Sequence, residues 1–153
     1  MVARGLEPIL VRVTIPLPMP VIFKAFVQER QLENWMCDRA VVEPHVGGRY
    51  ELAFSAGTIP FVSTGKITRI MPNSELVFTF LGPPHLNGGL LSPDGRSEVY
   101  LRLRESPDGV DVTAEHGGWK DSDAGEEARA WHAHHWDERL DALKTYLTET
   151  AVA

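Results

Sequence analysis

Cys37 is the only cysteine among 153 residues. An internal disulfide and a cysteine-rich zinc site are excluded, because each needs partners the chain does not supply. Uninterrupted apolar stretches are only a few residues long. None approaches the ~20 residues that a helical membrane span requires. Positive charge is scarce: 15 Lys and Arg against 21 Asp and Glu leave a formal net charge of −6 at pH 7. That balance favours staying dissolved and disfavours a phosphate backbone, so no nucleic-acid partner is expected. Neither phosphate-cradling glycine pattern occurs, so Gly47-Gly48 and Gly88-Gly89 read as turns. The H-E-x-x-H metal pattern is missing, and Ser55, Ser63 and Thr64 lie in no G-x-S-x-G elbow. Met1-Val2-Ala3-Arg4-Gly5-Leu6 lacks the charged-then-apolar order of a secretory leader. With so little cysteine, a reducing cytoplasm is the expected location.

What remains is ordinary globular material, 43% hydrophobic and 24% charged. Neither a repeat nor a low-complexity linker divides it, so one domain over residues 1–153 is expected. Ile9, Val11, Val13 and Ile15 are apolar while Arg12 and Thr14 intervene, which predicts a strand with one buried face. Pro16, Pro18 and Pro20 end it, and Pro20 suits the first turn of a helix. Val21–Val27 and Leu32–Trp35 predict two short helices, with a break or polar face across Gln28–Gln31. From Val41 the apolar period is two. Strands are predicted around Val41-Val42, over Tyr50–Phe54, over Phe61–Ile70 with a bulge near Gly65, and over Leu76–Phe80. Two more follow around Val99–Leu103 and Val110–His116. The turns between them are short, so neighbours are antiparallel. A Gly- and Pro-rich loop spans Gly82–Gly95.

The last segment changes period. Asp123 as N-cap with Glu126 three residues on predicts a capping box and a helix running to about Thr148. At about 100° per residue, Trp136, Leu140, Leu143 and Leu147 form one stripe, flanked by His132 and Ala133. Arg129 also falls on the stripe, so the first turn of the helix is expected either to project beyond the core or to line a polar opening. Trp131 falls nearly opposite.

An antiparallel sheet with one apolar face needs a cover, and this helix is the only long one available. The expected class is therefore α+β. The order of elements resembles the helix-grip fold of the START and birch-pollen-allergen-like superfamily, also termed SRPBCC. In that fold a curved antiparallel sheet wraps a long C-terminal helix, with two short helices after the first strand. Pro20–Phe26 resembles the family's first helix and Leu32-Glu33-Asn34-Trp35 its second. Val46-Gly47-Gly48-Arg49-Tyr50 is similar to its glycine-pair turn. Gly65–Pro72 followed by Leu76–Phe80 is similar to its central hairpin, and Trp136–Leu143 to its C-terminal signature. Together these resemble the branch related to the activator of the heat-shock protein 90 ATPase. Two departures stand out. His135 replaces a glycine common before the last-helix tryptophan, and the Gly82–Gly95 loop is long; both fall near the expected cavity mouth.

A sheet gripping a helix can enclose an apolar pocket with a few polar groups. Trp35, Tyr50, Phe54, Phe61, Phe78, Phe80 and Trp136 are the candidate aromatic lining, against the plain alternative of core packing. Strand parity sends His116 inward and helix phase sets His132 beside the stripe. Both are candidate polar anchors and the only candidate acid–base groups. His134 diverges from His132 and His135, so no metal site is expected. Arg49, Arg102 and Arg104 read as outer-face charges, and Cys37 as a buried inert thiol.

Three functions follow in order. The first is binding of a small hydrophobic or aromatic molecule between sheet and C-terminal helix, without cofactor. The second, implied by the resemblance, is a cyclase- or dehydratase-like enzyme using the two histidines. The third, implied by the branch, is a co-chaperone-like interaction protein. The expected partner is thus a small hydrophobic molecule, with a homodimer or a chaperone as further partners.

Overall fold

The computed structural model describes residues 5–55 and 59–152. The start of the leader reading, residues 1–4, lies outside them. Strand β1 (Ile9–Ile15) leads into helices α1 (Met19–Val27) and α2 (Glu29–Trp35). Six strands follow: β2 (Arg39–Val42), β3 (Arg49–Phe54), β4 (Phe61–Met71), β5 (Glu75–Leu81), β6 (Arg96–Ser106) and β7 (Gly109–Gly117). Helix α3 (Asp123–Val152) closes the chain. The sheet order is β1-β7-β6-β5-β4-β3-β2, every pair antiparallel. This is the α+β arrangement expected, a curved open sheet around the last helix. Among the described residues no helix is long and apolar enough to cross a membrane.

The prolines act as their geometry requires. Pro18, extended at φ −65 and ψ 148, caps α1, and Pro20 occupies its first turn, where a missing N–H costs nothing. One residue, Gln28, separates the two short helices, its extended backbone (φ −93, ψ 120) ending one and starting the next. Helix α2 then guards the sheet margin. Val42 N–H donates to Glu29 Oε2 at 3.0 Å and Ala40 N–H to Glu33 Oε2 at 3.1 Å. Edge N–H groups of β2 that would otherwise invite another strand are thereby occupied.

Three local expectations need correction. The bulge in β4 falls between Ile67 and Arg69, not at Gly65. Gly65 meets a different demand, since a Cβ there would collide with the Thr79 carbonyl oxygen. The cap of α3 is Ser122, whose Oγ accepts from Gly125 N–H at 3.0 Å, one residue before Asp123. Arg129 lines no opening; its Nε donates to the Glu7 carbonyl at 2.8 Å and pins the segment entering β1.

The apolar stripe of α3 meets the inner face of the sheet. Trp136, Leu140, Leu143 and Leu147 are buried, opposite Val99, Leu101, Val112 and Ala114 among others. The long loop after β5 is structured. A 3-10 turn over Pro84–Gly89 packs on the first turns of α3, and Leu90 bridges to Trp119. Arg49 pairs with Glu51 at 3.0 Å and Arg102 lies 4.9 Å over the Tyr100 ring, both on the outer face.

Candidate functional site

Alternate positions of β3, β4, β5 and β7 aim Tyr50, Phe54, Phe61, Phe78, Phe80 and His116 inward, toward Trp35 of α2 and His132 and Trp136 of α3. All nine are at most 7% exposed. They divide into a packed interior and the wall of a recess.

The interior is closed by direct contact. Tyr50 stacks on Phe78 with ring centroids 4.1 Å apart and donates its hydroxyl to the Phe26 carbonyl at 2.7 Å. Trp136 Nε1–H donates to His116 Nδ1 at 3.0 Å. An indole N–H can only donate, so that imidazole nitrogen is bare and Nε2 carries the proton. His116 Nε2–H then donates to Ser97 Oγ at 2.6 Å, and the Ser97 hydroxyl donates to the Phe80 carbonyl at 3.3 Å. Both imidazole nitrogens are committed. Burial, followed by the neighbouring His132 and His135, holds His116 well below the usual imidazole range. It is a neutral strut joining β5, β6, β7 and α3.

His132 is fixed from the other side. Its Nδ1 lies 2.7 Å from the Ala128 carbonyl oxygen, which only accepts, so Nδ1 is the protonated nitrogen. Nε2 is buried without a hydrogen-bond partner. It abuts Gly82: a Cβ there would lie 2.6 Å from it, which is why the strand-end residue carries no side chain. Burial brings His132 down to about 4. Trp119, fully buried, tilts against both rings at 4.7 Å and donates its N–H to the His116 carbonyl.

The open space lies at the margin of this interior. A recess of about 360 Å³ is bounded by the end of α2, the end of β3 and the second turn-pair of α3. Trp35, Met36 and Cys37 form one side, Phe54 and Ser55 the floor, and Trp131 and His135 the other side. Glu33, Asp38, Glu138 and Arg139 form its rim. Trp35 and Phe54 are thus the candidate residues that reach the recess; Tyr50, Phe78, Phe80, His116, His132 and Trp136 stay behind it. Phe61 backs the wall, edge-on to Trp131 at 5.9 Å.

His135 is the polar group of the recess. Its ring stacks on Trp131 (5.0 Å, 12°) and meets Phe54 edge-on at 5.2 Å. Its Nε2 is buried and unpartnered. Burial, then the charges of His132, Arg139 and His134, lowers it to about 3, so the ring is neutral at pH 7. Beside it the Cys37 thiol donates to the Arg39 carbonyl at 3.2 Å. Burial, with Glu33 and Asp38 nearby, pushes that thiol up to about 12, so it stays protonated. His134 borders the recess as well and pairs with Glu138 at 2.9 Å. A wider hollow of about 640 Å³ opens over Tyr100 and Glu98 on the outer sheet face, but Tyr100 is its one aromatic wall.

Periodicity missed three residues here. Trp131 lies about 140° from Trp136 around the helix, the side away from the stripe. That side packs edge-on against Phe61 of β4 instead of facing solvent. Trp119 sits beyond β7, after Gly118 turns the chain at φ 111, where strand parity no longer applies. His135 had a signal: it is the residue standing where the resembled family commonly has glycine.

Comparison with known proteins bears on the family and the fold. The family model described as activator of Hsp90 ATPase homolog 1-like protein matches residues 16–148. No curated protein matches the sequence. Protein MLL2253 of Mesorhizobium loti superposes with a TM-score of 0.76 at 22% identity, over 94% of this chain and 98% of that one. CalU16 of Micromonospora echinospora gives 0.69 at 23% identity, over 92% and 73%. DynU16, a protein in the dynemicin biosynthetic locus, gives 0.71 at 17%, over 93% of this chain and 47% of that one. At such identities the likeness is one of fold.

Proposed function

The chain belongs to the activator of Hsp90 ATPase homolog 1-like family, and from that premise we propose that it is a binding module for a small aromatic or apolar molecule. The molecule sits between the end of α2, the end of β3, and Trp131 and His135. One observation carries the reading: a recess of about 360 Å³ is walled by Trp35, Phe54, Trp131 and His135, with Glu33, Asp38, Glu138 and Arg139 at its rim. Aromatic walls supply contact area and placed polar groups fix orientation, the two parts of a ligand site. The neighbour from a biosynthetic locus supports small-molecule work on this fold, as something said of that neighbour.

A catalytic reading through His116 and His132 gains no support from their surroundings. One has both nitrogens occupied, and the other is walled by Gly82 and Trp119. The co-chaperone reading rests on the family's name.

Titration with an uncharged environment-sensitive dye such as Nile red, followed by fluorescence, tests the proposal. Trp131→Ala and Phe54→Ala are expected to weaken binding about tenfold or more, the scale of losing an aromatic contact of 1–2 kcal/mol. Equal affinity in both variants and the parent would refute it. Native mass spectrometry of the freshly purified protein should show an adduct of small-molecule mass.

A further inference from the structure

Resting on that reading, we infer that the recess selects an aromatic carrying a positive charge, an aryl amine or protonated N-heterocycle, over a neutral or anionic one. The recess has a flat interior and a charged mouth. Inside, Trp131 and His135 stack on each other and Phe54 stands edge-on to the imidazole, which makes one continuous aromatic wall for a further ring to pack against. At the mouth, three carboxylates face one guanidinium: Glu33, Asp38 and Glu138 against Arg139.

The guanidinium offsets one of the three charges and leaves the carboxylates in excess. Arg139 Nη1 donates to the Trp35 carbonyl at 2.9 Å, which holds the guanidinium against the end of α2. The carboxylates keep free oxygens. Glu33 spends one on the Ala40 N–H, Asp38 one on the Ser55 hydroxyl, and Glu138 one on His134. The Ala40 N–H and the Ser55 hydroxyl are neutral donors, so the charge of Glu33 and Asp38 is shared out and not cancelled. A ligand ring seated on the aromatic wall brings its substituent to this rim. There an ammonium or ring N–H⁺ meets negative potential and can donate; a carboxylate meets repulsion. The aromatic faces add to the preference, since a ring quadrupole attracts cations.

The discriminating experiment compares three probes of one shape at pH 8 in low salt: naphthylmethylamine, naphthylmethanol and naphthoate. Affinities come from calorimetry. The expected order is amine, alcohol, acid, with amine and acid separated by about tenfold or more, the factor for ~1.4 kcal/mol. In 0.5 M NaCl, and in the double variant Glu33→Gln/Glu138→Gln, the ratio of amine to acid affinity should shrink toward one, because the substitutions remove charge and keep shape. Thermal melting of the variant, run alongside, checks that it is folded. Acid binding as tightly as amine, or a ratio indifferent to salt and to the substitutions, overturns the charge inference and leaves the aromatic site standing. If none of the three probes binds, the site itself is wrong and the inference falls with it.

Discussion

His135 concentrates the account's residue-scale claims. An unpaired buried polar nitrogen costs about 1–3 kcal/mol, and a folded protein keeps such a cost where something else uses the group. His135→Phe replaces that nitrogen with carbon in a site already walled by Phe54 and Trp131. The variant should gain about 1 kcal/mol and melt ~2–4 °C higher. It should also lose affinity for any ligand that donates to the imidazole. Calorimetric melting and a titration with naphthylmethanol, whose hydroxyl can donate, measure the two effects; a variant that is less stable and binds equally well would contradict the role assigned here.

The same ring and its neighbours set a pH limit. His116, His132 and His135 are held neutral in the fold, the second at about 4 and the third at about 3. An unfolded histidine titrates near 6.5. As pH falls below that value the unfolded chain takes up protons the folded one refuses, so stability drops. It is level above ~6.5, and each histidine withdraws up to ~1.4 kcal/mol per pH unit below it, until its folded value is reached. By pH 5 the three together remove on the order of 4–6 kcal/mol, a large part of ordinary domain stability. The urea midpoint should therefore fall steeply between pH 7 and pH 5, before carboxylates begin to titrate. A flat midpoint over that interval would mean that the rings are hydrated.

At the scale of elements, the ends of helices do the specifying. Ser122 stops the chain from fraying where α3 begins, and the Pro84–Gly89 turn rests on that same end. Ser122→Ala should cost about 1 kcal/mol, the usual worth of a side-chain cap. Amide exchange should show the loss localised to the first turn and to Gly89 and Leu90. Uniform deprotection across the sheet would assign the serine a different role. Most elements were legible in the sequence for simple reasons. Period-two alternation marks β3, β5, β6 and β7, and Pro16, Pro18 and Pro20 mark the passage from β1 to α1. The cap was misplaced by one residue because Ser122 and Asp123 are both good caps, and only backbone geometry chooses between them. The bulge at Ile67–Arg69 was placed near Gly65 because glycine serves two purposes in a strand, and here it serves close approach.

Over the whole molecule, the sheet-and-helix architecture was readable, while the location of the open space was not. Alternation identifies which side chains point inward, as it did for Phe78, Phe80 and His116. It is silent on whether the facing layers touch. Here they do: Tyr50 of β3 on the Phe26 carbonyl of α1, and Trp136 of α3 on His116 of β7, close the middle of the sandwich. The space is left between the end of α2, the end of β3 and the Trp131–Arg139 side of α3, a matter of how the elements sit and not of pattern. That is why Trp35 and Phe54 reach the recess while the other seven candidates do not.

The four tryptophans report on the two regions separately. Trp131 and Trp35 border the recess, whereas Trp119 and Trp136 give their indole protons to His116 in the closed interior. Titrating ¹⁵N-labelled protein with naphthylmethanol and following the four indole N–H resonances tests the central claim most directly. The account predicts that Trp131, and to a lesser extent Trp35, shift saturably while Trp119 and Trp136 stay in place. Saturable movement of Trp136 and Trp119 with Trp131 unmoved would put the ligand in the interior and contradict it.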